Sequence, residues 1–508
     1  MGDMLSALFS FSNVVTILAT GFVLFYLYAK YKQSYWRRRG VDSPPAHWFF
    51  GNFKDAICLR SAPPAVLGEI YKYYQGQPDK PVIGLYIMQT PFLLLRSPEV
   101  IKQVFIKDFH NFTDRYFAAK RKTDVIGSTG LFSIDNPEWK YLRVKLSPAF
   151  TSGKQKKLFE LMVESAKNLN QYMAKKVGEG KIDMEVRRVC AKYTTDVISS
   201  LTFGIRTNSF DEPEPEFFVR SRDIFKQDLR RTLNLFVAFF FPKLGDYLQA
   251  TFLGKHEEYF RKIFWESVNA REKSGFKRGD LIDFLVELKN EPQDAQFRFD
   301  GDQLLAQSAI FFVAGLETSA ITMTFTLMEL ARHPEIQKKV RDEIREKIGK
   351  ATLTYDMISQ MSYLQQVVSE ILRLYPPAPL LDRVALNDYK VPGTDIVIEK
   401  GTVVYTTLMG IHEDPGLHPD PTKFDPDRFS EERKDNIQPC TYMPFGDGPR
   451  ICIGQRTGQL QTMVGLITIL RDYEVSQNTN YKNEVSKRAI FLAPADGVHI
   501  YVKKNPVL

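Results

Sequence analysis

From about Asp302 to Arg332 the chain keeps a helical pattern without a break, and His333-Pro334 then stops it. About thirty residues at 1.5 Å rise span roughly 45 Å, the breadth of a large domain. Much of the stretch is apolar on every side (Ile310-Phe311-Phe312-Val313, then Ile321 to Leu327), so it must be buried all round rather than laid on a surface. A length of 508 residues alone suggests about three domains of ~150 residues each. One buried helix this long requires a single core around it. Strand signals are confined to Val82–Leu95, Tyr389–Thr407 and Ala489–Lys503, read as a hairpin turning near Gln89-Thr90-Pro91, short strands around Gly393 and Gly401, and a hairpin turning at Asp496-Gly497. The fold class is therefore mainly α, a large helical body with small β-sheets at its edge.

A second apolar run has a different setting. Met4 to Ala29 carries no charge and is long enough to cross a ~30 Å hydrocarbon layer as a helix. Lys30, Lys32 and Arg37-Arg38-Arg39 follow, a basic cluster that stays on the cytoplasmic side, and no small-residue cleavage pattern intervenes. Ser43-Pro44-Pro45 then favours an extended spacer. The expected organisation is residues 1–29 as membrane anchor, 30–52 as a basic, proline-containing linker and 53–508 as catalytic domain. Lys plus Arg exceed Asp plus Glu by 68 − 60 = 8, and no basic run with interleaved aromatics suggests nucleic acid. The excess suits a membrane surface or an acidic protein partner. Four scattered cysteines, Cys58, Cys190, Cys440 and Cys452, without CxxC spacing, argue against structural zinc and a disulfide framework and fit a reducing compartment.

Only one of these cysteines lies in a loop built for chemistry. In Phe445-Gly446-Asp447-Gly448-Pro449-Arg450-Ile451-Cys452-Ile453-Gly454 the glycines at 446, 448 and 454 let the backbone turn tightly and approach a flat ligand. Cys452 comes just before a helical run from Arg456 to Leu470, whose free amides favour a thiolate and tune a metal bound to it. Arg450 is placed to reach an anionic cofactor edge. The other reading of the loop is a buried structural cysteine.

This loop resembles the haem-binding loop of the cytochrome P450 superfamily at Phe445, Gly448, Arg450, Cys452 and Gly454. Three further motifs follow the same resemblance. Ala314-Gly315-Leu316-Glu317-Thr318, in the middle of the long helix, resembles the acid–alcohol pair of oxygen-activating members. The glycine weakens the helix centre by about 1 kcal/mol, and the Thr318 hydroxyl can take the Ala314 carbonyl and open a notch. Considered alone, a threonine there simply satisfies a backbone carbonyl. Glu370-Ile371-Leu372-Arg373, with Arg428 in Pro426-Asp427-Arg428-Phe429, resembles a buried Glu–Arg–Arg cluster that supports the fold; a lone pair at this spacing is ordinarily a surface ion pair. Trp139 and Arg143, on one helical face, together with Arg450, Arg383 and Arg115, correspond to contacts of the haem propionates.

The resemblance covers essentially the whole chain after the anchor, and within the superfamily it is nearest to insect family-6 microsomal enzymes. Gly458, where many members carry Ala, and Ser319, where Thr is common, depart from the pattern. The resemblance implies haem b with Cys452 as axial iron ligand, and catalytic roles for Thr318, Glu317 and Ala314. It also implies a pocket of Phe311, Phe312, Val313, Leu380 and Leu381, extended by Phe117 to Thr129, Pro379, Leu492 and Ala493. Phe236 to Phe241 (FVAFFF) reads either as an entrance lip dipping into the membrane or as core. The expected activity is oxygenation of lipophilic small molecules, xenobiotics such as plant toxins or insecticides, with endogenous hormones or lipids as the alternative. No nicotinamide or flavin fingerprint is present in a strand–helix context, so electrons from NADPH must arrive through a separate protein. The resemblance names the membrane-bound cytochrome P450 reductase, with cytochrome b5 as a second donor, dioxygen as co-substrate and the endoplasmic reticulum as location. Lys140, Arg143 and Lys145 are the basic residues expected to face such a partner. A haem-thiolate isomerase has little use for Glu317 and Thr318; a non-catalytic haem or lipophile carrier would tolerate loss of both.

Overall fold

A computed structural model describes residues 11–507 except 118–121, 227–228, 250 and 487–488. The start of the first apolar run, Met4 to residue 10, and part of the expected 117–129 pocket segment thus lie outside the described residues. Helix α1 (Phe11–Lys32) has side chains such as Leu18, Phe22 and Leu27 more than half exposed, an apolar surface that marks it as a candidate membrane span. The segment behind it is not a free tether. Trp36 is fully buried, its amide donating to the Tyr86 hydroxyl (3.0 Å) and its indole N–H to the Leu85 carbonyl (3.2 Å). Gln33 donates to the carbonyls of His47 and Trp48, Asn52 to those of Pro44 and Pro45, and Arg39 pairs with Glu399. The Trp48 ring packs against Phe22, Phe25 and Tyr26 of α1 at 5.4–6.1 Å.

Strands β1 (Val82–Ile87) and β2 (Thr90–Leu95) form the expected hairpin, Val82 opposite Leu95 and Ile87 opposite Thr90. The helices that build the site are α2 (Glu138–Leu146) and α3 (Ser152–Lys176), then, after strand β3 (Lys181–Glu185), α4 (Val186–Thr202), α5 (Glu216–Ile224) and α6 (Leu229–Phe240). Helix α7 (Gly301–Arg332) is the expected long one. The Asp300 side chain accepts from the Gly301 amide at its start, and His333 ends it before Pro334. Two described helices are long and apolar enough to cross a membrane; α7 is the mostly buried one (72%, against 6% for the N-terminal span), because α4 and the helices after it wrap it.

Helix α8 (Ser362–Leu374) precedes β4 (Leu380–Val384) and β5 (Val403–Thr407), which complete a four-stranded sheet in the order β1-β2-β5-β4, β2 and β5 parallel and the other pairs antiparallel. Helix α9 (Gln455–Leu470) follows the glycine-rich loop and leads into β6 (Tyr473–Gln477). The expected Ala489–Lys503 hairpin does not form. Only β7 (His499–Lys504) is a strand, and it lies between β3 and β6, Ile500 and Val502 facing the core. Residues before Asp496 instead fold inward, the Leu492 amide bonding to the Pro377 carbonyl (3.0 Å). The aromatic run on α6 is interior: Phe236, Phe239 and Phe240 are buried, and Phe239 stacks on Phe117 at 4.3 Å.

Candidate active site

The loop 445–454 is a wound turn. Gly446 (φ +75°) and Gly448 (φ +71°) occupy backbone conformations that side-chain-bearing residues rarely adopt, and a Cβ on Gly448 would collide with the Phe105 carbonyl. Gly454 has no such constraint; it caps α9. The Cys452 amide donates to the Phe445 carbonyl (2.9 Å), and Ile451 to Gly448 (3.0 Å), which fixes the sulfur at the wall of a cavity of about 380 Å³. Burial pushes the Cys452 thiol up, while the Gly454 amide bonded to it and the positive charges of Arg143 and Arg115 pull it back. Burial pushes Cys190 up to about 12 despite a hydrogen bond from Thr324, and burial, with the charge of Asp447, pushes Cys440 up to about 12. Among the described residues no three His, Cys, Asp or Glu side chains converge, so a metal on Cys452 would bring most of its ligands with it.

The same cavity is walled by Ala314, Gly315 and Thr318 of α7. The Thr318 hydroxyl donates to the Ala314 carbonyl (2.6 Å). The helix nevertheless continues unbroken through this turn. Gly315 is small for a packing reason: a Cβ there would sit 2.5 Å from the Ile198 Cδ1 of α4. Gln461 of α9 donates to the Gly315 carbonyl (3.3 Å), tying the helix behind the cysteine to the helix that bears Thr318.

Three guanidiniums crowd one side. Arg383 and Arg450 are buried, Arg115 nearly so, and the Nε of each lacks a hydrogen-bond acceptor. Among the described residues the one carboxylate within ion-pair distance is Asp382, 3.6 Å from Arg115. Asp382 also accepts from the amides of Tyr116 and Phe117. Burial first, and Arg115 second, pull Arg450 down to about 9; the same two causes in the same order lower Arg383. Such a cluster requires an anion with several acceptor oxygens. The Arg450 guanidinium lies 4.4 Å over the Trp139 ring, and Arg143 joins both on the cavity wall.

Glu370 and Arg373, both fully buried on α8, form a two-pronged pair (2.8 Å for each contact), and Arg428 approaches Glu370 at 3.4 Å. Arg373 also donates to the His412 carbonyl (2.8 Å), and the Asp425 amide donates to Glu370 (3.1 Å), so this cluster binds α8 to the segment leading into the cysteine loop.

The sequence model of the family described as Cytochrome P450 matches residues 41–501. The chain belongs to the cytochrome P450 family. It is 41% identical to "Cytochrome P450 6k1" of Blattella germanica over 97% of both chains. It is 36% identical to "Probable cytochrome P450 6g2" of Drosophila melanogaster over 93% of this chain and 95% of that one. It is 34% identical to "Cytochrome P450 6a2" of the same fly, over 97% and 100%. It is thus a haem-thiolate monooxygenase of the insect family-6 kind. Haem has two propionates, and the acceptor-poor arginines beside the cavity fit them.

Against that frame several side chains fall differently from expectation. Arg115, Arg143, Arg450 and Trp139 reach the cavity wall; Arg383 keeps company with Arg115 and Arg450 but is not on the wall, its Nη1 donating to the Asp382 carbonyl (2.6 Å). Phe311, Val313, Leu380, Leu381 and Phe445 line the cavity, as do Gly446 and Gly454. Phe312 does not: it turns into a ring cluster with Phe203, Phe217 and Phe260 at 5.2–5.5 Å, since residues 311 and 312 point about 100° apart on a helix. At the C-terminal end Phe491 lines this cavity in place of Leu492 and Ala493, and Pro377 and Ala378 in place of Pro379. Glu317 is buried and held by Arg187 (2.7 Å) and more loosely by Arg222 (3.6 Å). Of the three basic residues expected to meet a partner, Lys140 is exposed, Lys145 is paired with Glu291 (2.8 Å), and Arg143 faces the cavity. Sequence reasoning missed Asp382, although it adjoins Arg383, and missed Arg187 and Arg222, for which no local signal exists.

Proposed function

We propose that this P450 oxygenates lipophilic small molecules of xenobiotic type, using electrons that reach it from NADPH through a separate membrane-bound reductase. Bound haem supplies the reduction and cleavage of dioxygen and the transfer of one oxygen atom to the substrate. The protein's part follows from its residues. Cys452 would hold the haem iron through its sulfur, and the Gly454 amide with Arg143 and Arg115 would favour its thiolate. Arg115, Arg143, Arg450 and Trp139, with Arg383 reinforcing their field, would hold the propionates. Thr318 holds a proton at its hydroxyl on the cavity wall, and Glu317, one residue earlier, replenishes it through water, with Ala314 as the hydroxyl's anchor. Glu370, Arg373 and Arg428 keep the loop in place. Phe311, Val313, Leu380 and Leu381 give the pocket its apolar walls and exclude water.

The observation that carries this reading is the sulfur of Cys452 opening into an apolar cavity beside acceptor-poor arginines. Helix α1, long, apolar and exposed, supports attachment to a membrane, and the family's microsomal habit favours the endoplasmic reticulum; a role for cytochrome b5 rests on the family alone. The test is purified holoprotein reconstituted with the NADPH reductase. A red-displaced Soret band of the reduced, carbon-monoxide-saturated protein and NADPH-dependent hydroxylation of a lipophilic probe are expected. A normal band position, or survival of the displaced band in Cys452→Ser, overturns the assignment.

A further inference from the structure

Strand β4 sets two kinds of residue side by side. Leu380 and Leu381 line the main cavity, and Arg383 belongs to the guanidinium cluster beside it. Asp382, between them, is fully buried and does not line the cavity. Its two oxygens serve different neighbours. Oδ2 accepts from the amides of Tyr116 and Phe117, the latter at 2.6 Å. Oδ1 has no hydrogen bond among the described residues and lies 3.6 Å from the Arg115 guanidinium. A carboxylate bonded to two successive amides fixes the backbone there, because each bond is charge-assisted and shielded from water. The main chain adds a further tie, the Val384 amide donating to the Asp114 carbonyl (2.9 Å), so that residues 114–117 are laid along β4. The two residues whose amides are held carry the side chains that meet α6. The Tyr116 hydroxyl donates to the Phe240 carbonyl (3.1 Å). The Phe117 ring, on the cavity wall, stacks on Phe239 and stands edge-on to Phe240 and Phe491 at 5.3 and 6.3 Å. One buried carboxylate thus stands between the aromatic wall of the pocket and the guanidinium that would take a propionate.

We propose that Asp382 is a positioning residue, one oxygen holding the pocket wall at Tyr116 and Phe117 and the other setting the electrostatic field at the haem edge through Arg115. This rests on the haem reading above and adds to it a residue that acts only through others. The two roles use different properties of the group. Holding the amides needs an acceptor oxygen, whereas the field needs the negative charge. Asparagine keeps an acceptor oxygen and loses the charge; leucine loses both. The substitutions therefore separate the roles, which a purely structural side chain would not allow.

The experiment compares the unmodified holoprotein with Asp382→Asn and Asp382→Leu. Two quantities are read without reductase or substrate: hydrogen exchange at the amides of Tyr116 and Phe117, and the midpoint potential of the iron in a redox titration. Asp382→Leu is expected to exchange these amides about tenfold or more faster, the range one charge-assisted hydrogen bond supplies. Asp382→Asn should stay within about threefold of the unmodified rate, because its amide oxygen accepts the same two bonds. The midpoint potential should rise in both variants, since removing a buried negative charge favours the form with one more electron. Protection retained in Asp382→Leu, protection lost in Asp382→Asn, or an unchanged potential in Asp382→Asn overturns the proposal. Asp382→Asn guards against a leucine variant that fails to fold, since a merely damaged core does not raise the potential while keeping the amides protected. A protein whose reduced carbon-monoxide band is not red-displaced fails the haem reading instead, and exchange at residues 116 and 117 still decides the amide-holding half.

Discussion

At the residue scale the site depends on groups that are incomplete without a partner. Arg115, Arg383 and Arg450 repel one another in a buried space, and each hydrogen bond that a propionate would accept from them is worth about 1.5–3 kcal/mol. Arg450→Ala is therefore expected to lose haem about ten- to a hundredfold more readily, measured by transfer to an apo-acceptor protein; unchanged retention removes Arg450 from the propionate set. Thr318→Ala deletes the hydroxyl that bonds Ala314 but leaves the helix and the cavity. Substrate binding should be unchanged while product formed per NADPH falls and peroxide rises, read by an oxygen electrode with and without catalase. Coupling equal to that of the unmodified enzyme would show that the hydroxyl only satisfies a carbonyl. Glu370 is a residue of another kind, with two buried arginines leaning on it. Glu370→Ala should cost about 3–5 kcal/mol of stability, seen as loss of folded, haem-loaded protein on urea titration.

At the scale of elements, Gly315 is where α7 meets α4 most closely. Gly315→Ala pushes a methyl group into Ile198, and overpacking of this sort costs about 1–3 kcal/mol. The double variant with Ile198→Ala should recover part of that loss, and a thermal-unfolding cycle measures the coupling; additive losses would mean that the two helices do not press on each other here. The same helix shows what a linear reading can reach. Its length, burial and end followed from apolar residues on all sides and a His-Pro stop, because both signals are local. The cysteine loop was legible for the same reason: Gly446 and Gly448 report their backbone conformation through their identity. The C-terminal strand was not. Residues 499–504 alternate as a strand should, but the partner β3 lies some three hundred positions earlier in the chain, and nothing local distinguishes it from the nearer segment chosen as the hairpin's other half. Phe312 failed by one residue's rotation about a helix. Glu317 was recognised as an acid near the cavity, yet its arginine partners come from α4 and α5, brought near only by tertiary packing.

For the molecule as a whole, the seam between α1 and the body governs how it can be cut. A chain beginning at Gln33 retains Trp36 in its buried slot and should fold, load haem and leave the membrane fraction under alkaline extraction. One beginning at Arg37 loses that ring and about 3–5 kcal/mol with it, and should yield little haem-loaded protein; equal yields would show that Trp36 is dispensable. The seam has a mechanical consequence. Trp36 packs on strand β1, Arg39 pairs with Glu399 and Trp48 sits among Phe22, Phe25 and Tyr26, so α1 and the body are joined by several contacts. If α1 spans a bilayer, the angle that lipid thickness imposes on it passes through these contacts to the body, so longer acyl chains, by standing the helix more upright, would rotate the enzyme against the bilayer plane and re-aim its openings.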